Sequence, residues 1–538
     1  MVSMSPAYQA AVVADSRRTV VRAVVEIISP DIVYGTATGS DAAPISIPEQ
    51  LHDKVMSLSY PYASFELNRW LLDGSMHLLK PGQLQGQQGW VSAAVCGNDG
   101  AFTGEVFVQQ PLEGVTILQA CSVAFGDGPL DGLPTDYTVS VMTGSAAAWS
   151  QRVTGPSPRI RAFVGFTVNN PTGIRVTFHH WSLPFRRARV AEIIPGIYEE
   201  WDNDVVTAVS IKQQGDPSCV ALPYGTMALT MDNSDRRFDP GAKAGIFKSL
   251  EDRQGIKVYL GVRLPDGGAE LAPVGVYYQF QNGWRTGANG LSMTWNMVDI
   301  IGLVSGRTYT APATLPTTLE GWLVSICGQL GVNFAARYSA AASVANKPVI
   351  ANKREDVDQK KCGDLIRYAC MAAGAWARAG NDGGDLLAEP VGSGGGALTL
   401  DNLTAYPSIQ ANADVARIDI NVYPSSGDPY LYSVEGTQAS SPTTLSINNP
   451  FIHTTAQADT AAALILAGYG GNKVTAAGRG DPSTEIGDLD TVQLNPERSV
   501  QGRRIYQTLN VANGILSNCQ SNFLVPDAEM DAGEEAGT

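Results

Sequence analysis

The stretch "MALTMDNSDRRFDP", Met227 to Pro240, begins as a strand and ends as a polar knot. Met227, Leu229 and Met231 alternate with Ala228 and Thr230, the two-residue period of a half-buried β-strand. From Asp232 to Pro240 seven of nine residues are polar or charged, and Phe238 is the single apolar side chain before Pro240. Three kinds of chemistry compete for such a knot. A calcium loop needs oxygen ligands at alternate positions and a central glycine, but Arg236 and Arg237 stand where those belong. A carboxylate pair for glycoside hydrolysis can be drawn from Asp232, Asp235 and Asp239. A structural turn is the reading the composition favours: Asp and Asn cap backbone N–H groups, and arginine neutralises the carboxylates. In it Asp232, Asn233 and Asp235 hold the turn, Phe238 plugs the domain and Pro240 stops strand pairing.

Outward from the knot the chain is punctuated by 56 glycines and 31 prolines, as many short strands and turns require. Residues 190–312 read as strands, among them "VVTAVSI" (205–211), "IKVYLGVRL" (256–264), "VGVYYQF" (274–280) and "LSMTWNMV" (291–298), with "LPDGG" (264–268) as a hairpin turn. Residues 84–189 carry shorter alternating runs about every ten residues, such as "GEVFVQQ" (104–110), "YTVSVMT" (137–143) and "IRVTFHHW" (174–181). That spacing predicts a β-sandwich inserted into the first domain, whose other part is residues 1–83. Residues 313–400 are predicted to hold two helices. The first opens at a capping box of Thr317 and Glu320, and the second spans about 356–379 with Trp376 on its apolar stripe. Residues 401–525 predict a second β-domain with one helix, 455–467, opened by Thr454 and Gln457. Residues 526–538 predict an acidic disordered tail. The fold class expected is mainly β with a few helices.

The whole chain has 538 residues and a net charge of −15, which excludes the basic footprint of a nucleic-acid binder and suits an anionic membrane poorly. Seven cysteines, none in a C-x-x-C pair, predict buried free thiols in a reducing cytosol. No stretch reaches the length of a membrane span, and the first residues have no secretory pattern.

Catalytic signatures do not emerge. The sequence has no G-x-S-x-G, P-loop, H-E-x-x-H or dinucleotide fingerprint. His179 and His180 are neighbours on a predicted strand and face opposite ways, so they do not chelate one ion. No catalytic, metal or cofactor residue is therefore expected. The sandwich does carry candidate glycan-binding residues, Trp90, Phe125, Asp127, Asp131 and Trp149, because aromatic rings with loop carboxylates are a common way to hold sugars. Trp149 and Trp181 lie within strands, where core packing is the competing role.

Read together, these pieces resemble a family. A strand ending in the knot resembles a signature of tail-tip hub proteins of siphophages and prophages, with Arg236 where many relatives have glycine. "ASFELNRWLLDGS" (63–75) resembles the segment before an inserted module in such hubs. "RVTFHHWSLPFRRARVAEI" (175–193) resembles the exit from that module, which is itself similar to discoidin or galactose-binding-like sandwiches. "CGDLIRYACMAAGAWARAGNDG" (362–383), "NPFI" (449–452) and "RGDPSTEIGDLDTV" (479–492) resemble later hub segments in the same order. The resemblance implies a homotrimeric hub closing the distal end of a tail tube, with paired β-domains that mimic the sixfold tube. It implies contacts with the distal tail protein, the tape-measure protein and a tail fibre or central spike, and a place at the virion tail tip after assembly in the host cytoplasm. DNA passage and host attachment follow from that place. The alternatives are a host-surface carbohydrate-binding protein and, less favoured, a cell-wall hydrolase.

Overall fold

The alternation around Met227 does form a strand, Thr226–Asp232, with Met227, Leu229 and Met231 buried and their neighbours half-buried. The computed structural model describes residues 2–28, 32–58, 66–67, 69–70, 74, 76, 86–126, 128, 130–239, 255–287, 289–329, 338–390, 395–411, 415–436 and 443–531. The fold is mainly β with a few helices. It divides into one unit of Met1–Ala23, Trp201–Asp235 and Asp252–Thr538, and another of Val24–Glu200 and Arg236–Glu251.

In the first unit Thr226–Asp232 lies between Ser292–Val298 and Val206–Gln214, antiparallel to both. The hydrogen-bonded path runs Gly255–Arg263, Ala269–Thr286, Ser292–Val298, Thr226–Asp232, Val206–Gln214, Arg498–Ala512, Cys519–Val525, Asn472–Gly478 and Ser408–Ala411. The strands before position 300 form one β-module and those after 470 a second. The two are joined directly, because Val206–Gln214 pairs antiparallel with Arg498–Ala512 from Ala208↔Ala512 to Gln214↔Tyr506. Across that seam Val209 and Ile211 share the buried side with Leu509 and Val511. Each of these apolar side chains contributes roughly 1.5–3 kcal/mol when fully buried.

A helical layer packs between the modules in sequence and holds one continuous core. Leu319, Trp322, Leu323 and Ile326 of helix Leu319–Gly328 meet Leu365, Ile366, Ala369 and Cys370 of Cys362–Ala373 there, together with Phe451 and Ile465. The first helix is capped by Thr318, whose hydroxyl accepts from Gly321 N–H at 3.1 Å, one residue later than the expected Thr317. The second ends at Gly374, which is left-handed at φ 70°, so Trp376 belongs to strand Trp376–Ala379 and not to a helix. Glycine takes that conformation without a Cβ penalty and stops the helix before the tryptophan. The third helix, Thr455–Tyr469, opens as expected: Thr454 Oγ1 accepts from Gln457 N–H at 3.2 Å, and Gln457 Oε1 accepts from His453 N–H at 2.8 Å.

The second unit is a two-sheet sandwich. One sheet orders Val33–Tyr34, Ala101–Glu113, Gly173–Trp181, Pro134–Thr143 and Ala146–Thr154, with Thr38–Gly39 also on Ala101–Glu113. The other orders Trp90–Val95, Arg187–Ile194, Ile117–Phe125 and Ile160–Asn169. The sandwich is longer than the expected 84–189, because the two short strands before position 40 pair with it and Leu51 enters its core. Their Pro- and Gly-rich surroundings hide them from periodicity. Part of the expected acidic tail is ordered as well: Asp527–Asp531 is helical, and the residues after it lie outside the described residues.

Candidate functional site

At the knot the strand ends in an Asx turn. Ser234 N–H donates to Asp232 Oδ1 at 3.1 Å, and its hydroxyl donates to Oδ2 at 2.9 Å. Asn233 is fully buried. Its backbone N–H donates to Leu291 carbonyl at 2.9 Å and its side-chain amide to Gly290 carbonyl at 3.0 Å, which ties the strand end to the turn before Ser292–Val298. The chain passes from one unit to the other between Asp235 and Arg236. Arg236 stands at φ 64°, the left-handed region that favours glycine. Asp239 N–H donates to Arg236 carbonyl at 3.1 Å. Phe238 is fully buried, with the Arg237 guanidinium 4.6 Å from its ring centre. Pro240 lies outside the described residues. Of the knot's carboxylates, Asp232 is engaged by the Ser234 N–H and hydroxyl, and Asp239 stands 3.9 Å from Arg236 Nη1.

Of the candidate glycan residues, Trp90, Phe125 and Asp131 are buried and Trp149 is half-buried. Trp90 and Phe125 sit in the sandwich core: Phe125 packs edge-on to Tyr137 at 5.2 Å and Trp90 stacks with Phe178 at 6.2 Å. The alternation of these strands turns the rings inward, so no sugar reaches them. Trp149 is half-buried and lies on Phe166 at 4.2 Å, as an edge-strand aromatic covering the core. Asp127 lies outside the described residues. Asp131 is buried among arginines: it accepts from Arg69 Nε at 2.9 Å and from Gly128 N–H at 3.0 Å, with Arg189 Nε at 3.5 Å. Glu66 completes the cluster by accepting from Arg189 Nη2 and from Arg187 N–H. Glu66, Arg69, Asp131 and Arg189 are all buried, and this ion network fastens the segment entering the sandwich to its last strand. Sequence reasoning missed the network. Its one trace is the three-residue spacing of Glu66 and Arg69 beside the "RRARV" run.

A second feature not expected from sequence is the clamp on the N-terminal helix Pro6–Val13. Arg17 donates to the carbonyls of Val12, Gly480 and Leu516, and Arg479 donates to Val13 at 3.1 Å and to Ala14. Tyr8 O–H donates to Asp481 Oδ1 at 3.2 Å. The "RGD" at 479–481 is thus an internal fastener. Beside it lies a cavity of about 300 Å³ whose wall includes Met4, Val12, Leu403 and Leu509. Its polar side is Asp490 and Arg504, paired at 2.8 Å and satisfied further by Gly396 N–H and Ser521.

Burial shifts several groups. It pushes Glu192 up to about 10, helped by the Asp53 carboxyl beside it and opposed by Val55 and Lys54 N–H. It pushes Asp299 up to about 7 against the N–H groups of Gly302, Gly225 and Ile301. Cys219 and Cys327 rise to about 12, so neither is a ready thiolate. All seven cysteines are buried and unpaired with one another. Among the described residues no group of three His, Cys, Asp or Glu could hold a metal ion, and no helix is long and apolar enough to cross a membrane.

What the geometry defines is a scaffold class: two β-modules fused through one sheet, a helical layer and a sandwich. No protein-family model and no curated protein matches the chain. Among solved structures it is similar to the tail protein from Neisseria meningitidis MC58, at TM-score 0.42 and 11% identity over 62% of this chain and 94% of that one. It is also similar to the 43 kDa tail protein of prophage MuSo2 from Shewanella oneidensis, at TM-score 0.40 and 13% identity over 62% and 96%. A third is the E. coli c3393 protein, described as a component of the type VI secretion system, at TM-score 0.35 and 10% identity over 60% and 73%. At TM-scores this low the likenesses carry no argument about this chain.

Proposed function

We propose that the chain is a structural tail protein, the hub that closes the distal end of a phage-type tail tube as a homotrimer. The observation that carries this reading is the seam between Val206–Gln214 and Arg498–Ala512, which makes one chain present two hydrogen-bonded β-modules side by side. Three such chains offer six modules, the number that continues a sixfold tube, and cyclic symmetry closes the ring. The order of hub-like segments along the sequence supports the same role. In it the distal tail protein and the tape-measure protein meet the β-modules, and a fibre or central spike is held at the tip. The ring lets DNA pass, and its acidic chain repels the phosphate backbone. The role is assembly and not catalysis. Antibody raised against the purified chain tests it: electron micrographs of virions should show label at the distal tail end. Label on the capsid, or on no part of the particle, would overturn the proposal.

A further inference from the structure

The cavity of about 300 Å³ beside the N-terminal helix continues the core of the second β-module. Val474, Ala476, Val492, Val500 and Phe523 belong to that core, and Ala476 is also part of the cavity wall. Leu509 and Cys519 extend the wall along neighbouring strands, and Leu398 and Leu403 add to it. The N-terminal segment supplies another part through Met4 and Val12. Three charged side chains reach the same wall, and each already has partners. Arg504 Nε and Nη2 donate to Asp490 Oδ2 at 2.9 and 2.8 Å, and its Nη1 donates to Ser521 Oγ. Asp490 Oδ1 accepts from Gly396 N–H at 2.8 Å. Asp481 Oδ1 accepts from Tyr8 O–H at 3.2 Å and from Ser483 N–H at 2.9 Å, and Arg17 donates to the adjoining Gly480 carbonyl at 2.8 Å.

We infer that this cavity is a binding site for a neutral, mainly apolar molecule, such as a single substituted aromatic ring or a short acyl chain. Its size fits: an apolar cavity of roughly 150 Å³ takes benzene or xenon, and small-molecule pockets begin at roughly 300 Å³. Its chemistry selects against charge. An anion would have to displace Asp490 from Arg504, and a cation would meet in Asp481 a carboxylate already engaged by donors, with the Arg17 guanidinium beside it. Burying an ion without a partner is costly, whereas burying apolar surface is favourable in proportion to its area. The same geometry couples the ligand to the N-terminal segment. Val2 N–H donates to Ser483 carbonyl at 2.8 Å and Ser5 N–H to Glu270 Oε1 at 2.8 Å, so the segment is held by separate polar ties. A ligand packed on Met4 and Val12 adds apolar contacts to those ties and holds the segment more firmly.

The test compares toluene with benzoate on the full chain, since the two share a ring and differ in charge. Toluene should raise the melting temperature in a dose-dependent way and slow amide hydrogen exchange in the helix Pro6–Val13, and benzoate should do neither. Crystals held under xenon should show an anomalous peak inside this cavity. Ala476→Met fills the space and should abolish both toluene effects. No toluene effect, an equal effect of benzoate, a xenon peak confined to other places, or a toluene effect kept in Ala476→Met would overturn the inference. If Ala476→Met does not fold, the contrast between toluene and benzoate and the xenon peak, both on the unaltered chain, still decide.

Discussion

At the residue scale the knot is a place where local strain and burial are set against each other. Arg236 is held in a left-handed conformation that costs an L-residue roughly 1–2 kcal/mol, and its ion pair with Asp239 is long, at 3.9 Å, and half exposed. Arg236→Gly should therefore leave the melting temperature unchanged or raise it, whereas a fall of several degrees would show that the guanidinium matters more than the backbone. Phe238 is the opposite case. It is fully buried, so Phe238→Ala should cost about 3–5 kcal/mol in denaturant unfolding, and an unchanged midpoint would reject the plug. Glu192 makes a pH prediction. Its folded value near 10 lies above the ordinary 4.5, so the folded state holds a proton that the unfolded state has lost. Stability from this group falls as pH rises from 4.5 towards 10. Glu192→Gln keeps the neutral shape, so its advantage over the parent should grow across that window in thermal melts. A difference independent of pH would mean that Glu192 is ionised in the fold. Phe238 was legible in the sequence as the lone apolar residue in a polar run. The conformation of Arg236 was not, because nothing in a sequence states φ; the glycine in related motifs was its indirect signal.

At the scale of elements, alternation found the strands that are buried on one face and missed the others. Arg187–Ile194 is buried at nearly every position, with Arg189 paired to Glu66 in the interior, so it shows no two-residue alternation. Ala146–Thr154 is exposed at nearly every position and offers no apolar period. Two of the glycan candidates, Trp90 and Phe125, are buried for a related reason. Aromatics in a strand of a sandwich face either core or solvent, and Trp90 and Phe125 have the inward parity that only the register reveals. Asp131 reads as a loop carboxylate, yet pairing with Arg69 and Arg189 draws it inside. Asp131→Ala should cost about 3–5 kcal/mol, because it leaves two buried guanidinium groups short of a partner. Calorimetry of the full chain checks this, and a cost below about 1 kcal/mol, the range of an exposed pair, would show the network to be solvated.

For the whole molecule the decisive relation is the seam. Mainly β architecture and the order of helices follow from periodicity, capping and turn residues, each of which is local. Pairing of Val206–Gln214 with Arg498–Ala512 joins residues about 300 positions apart, as Ser210 and Asn510 illustrate with a side-chain hydrogen bond of 2.8 Å, and no local pattern carries that information. The seam puts two β-modules on one chain, and the proposed function has three such chains supply six. The mass and shape of the purified full chain test this most directly, by light scattering together with negative-stain imaging. The account predicts three times 57.0 kDa, about 171 kDa, and a threefold ring with a central hole. A particle of 57.0 kDa at every concentration, or a twofold dimer, would contradict it.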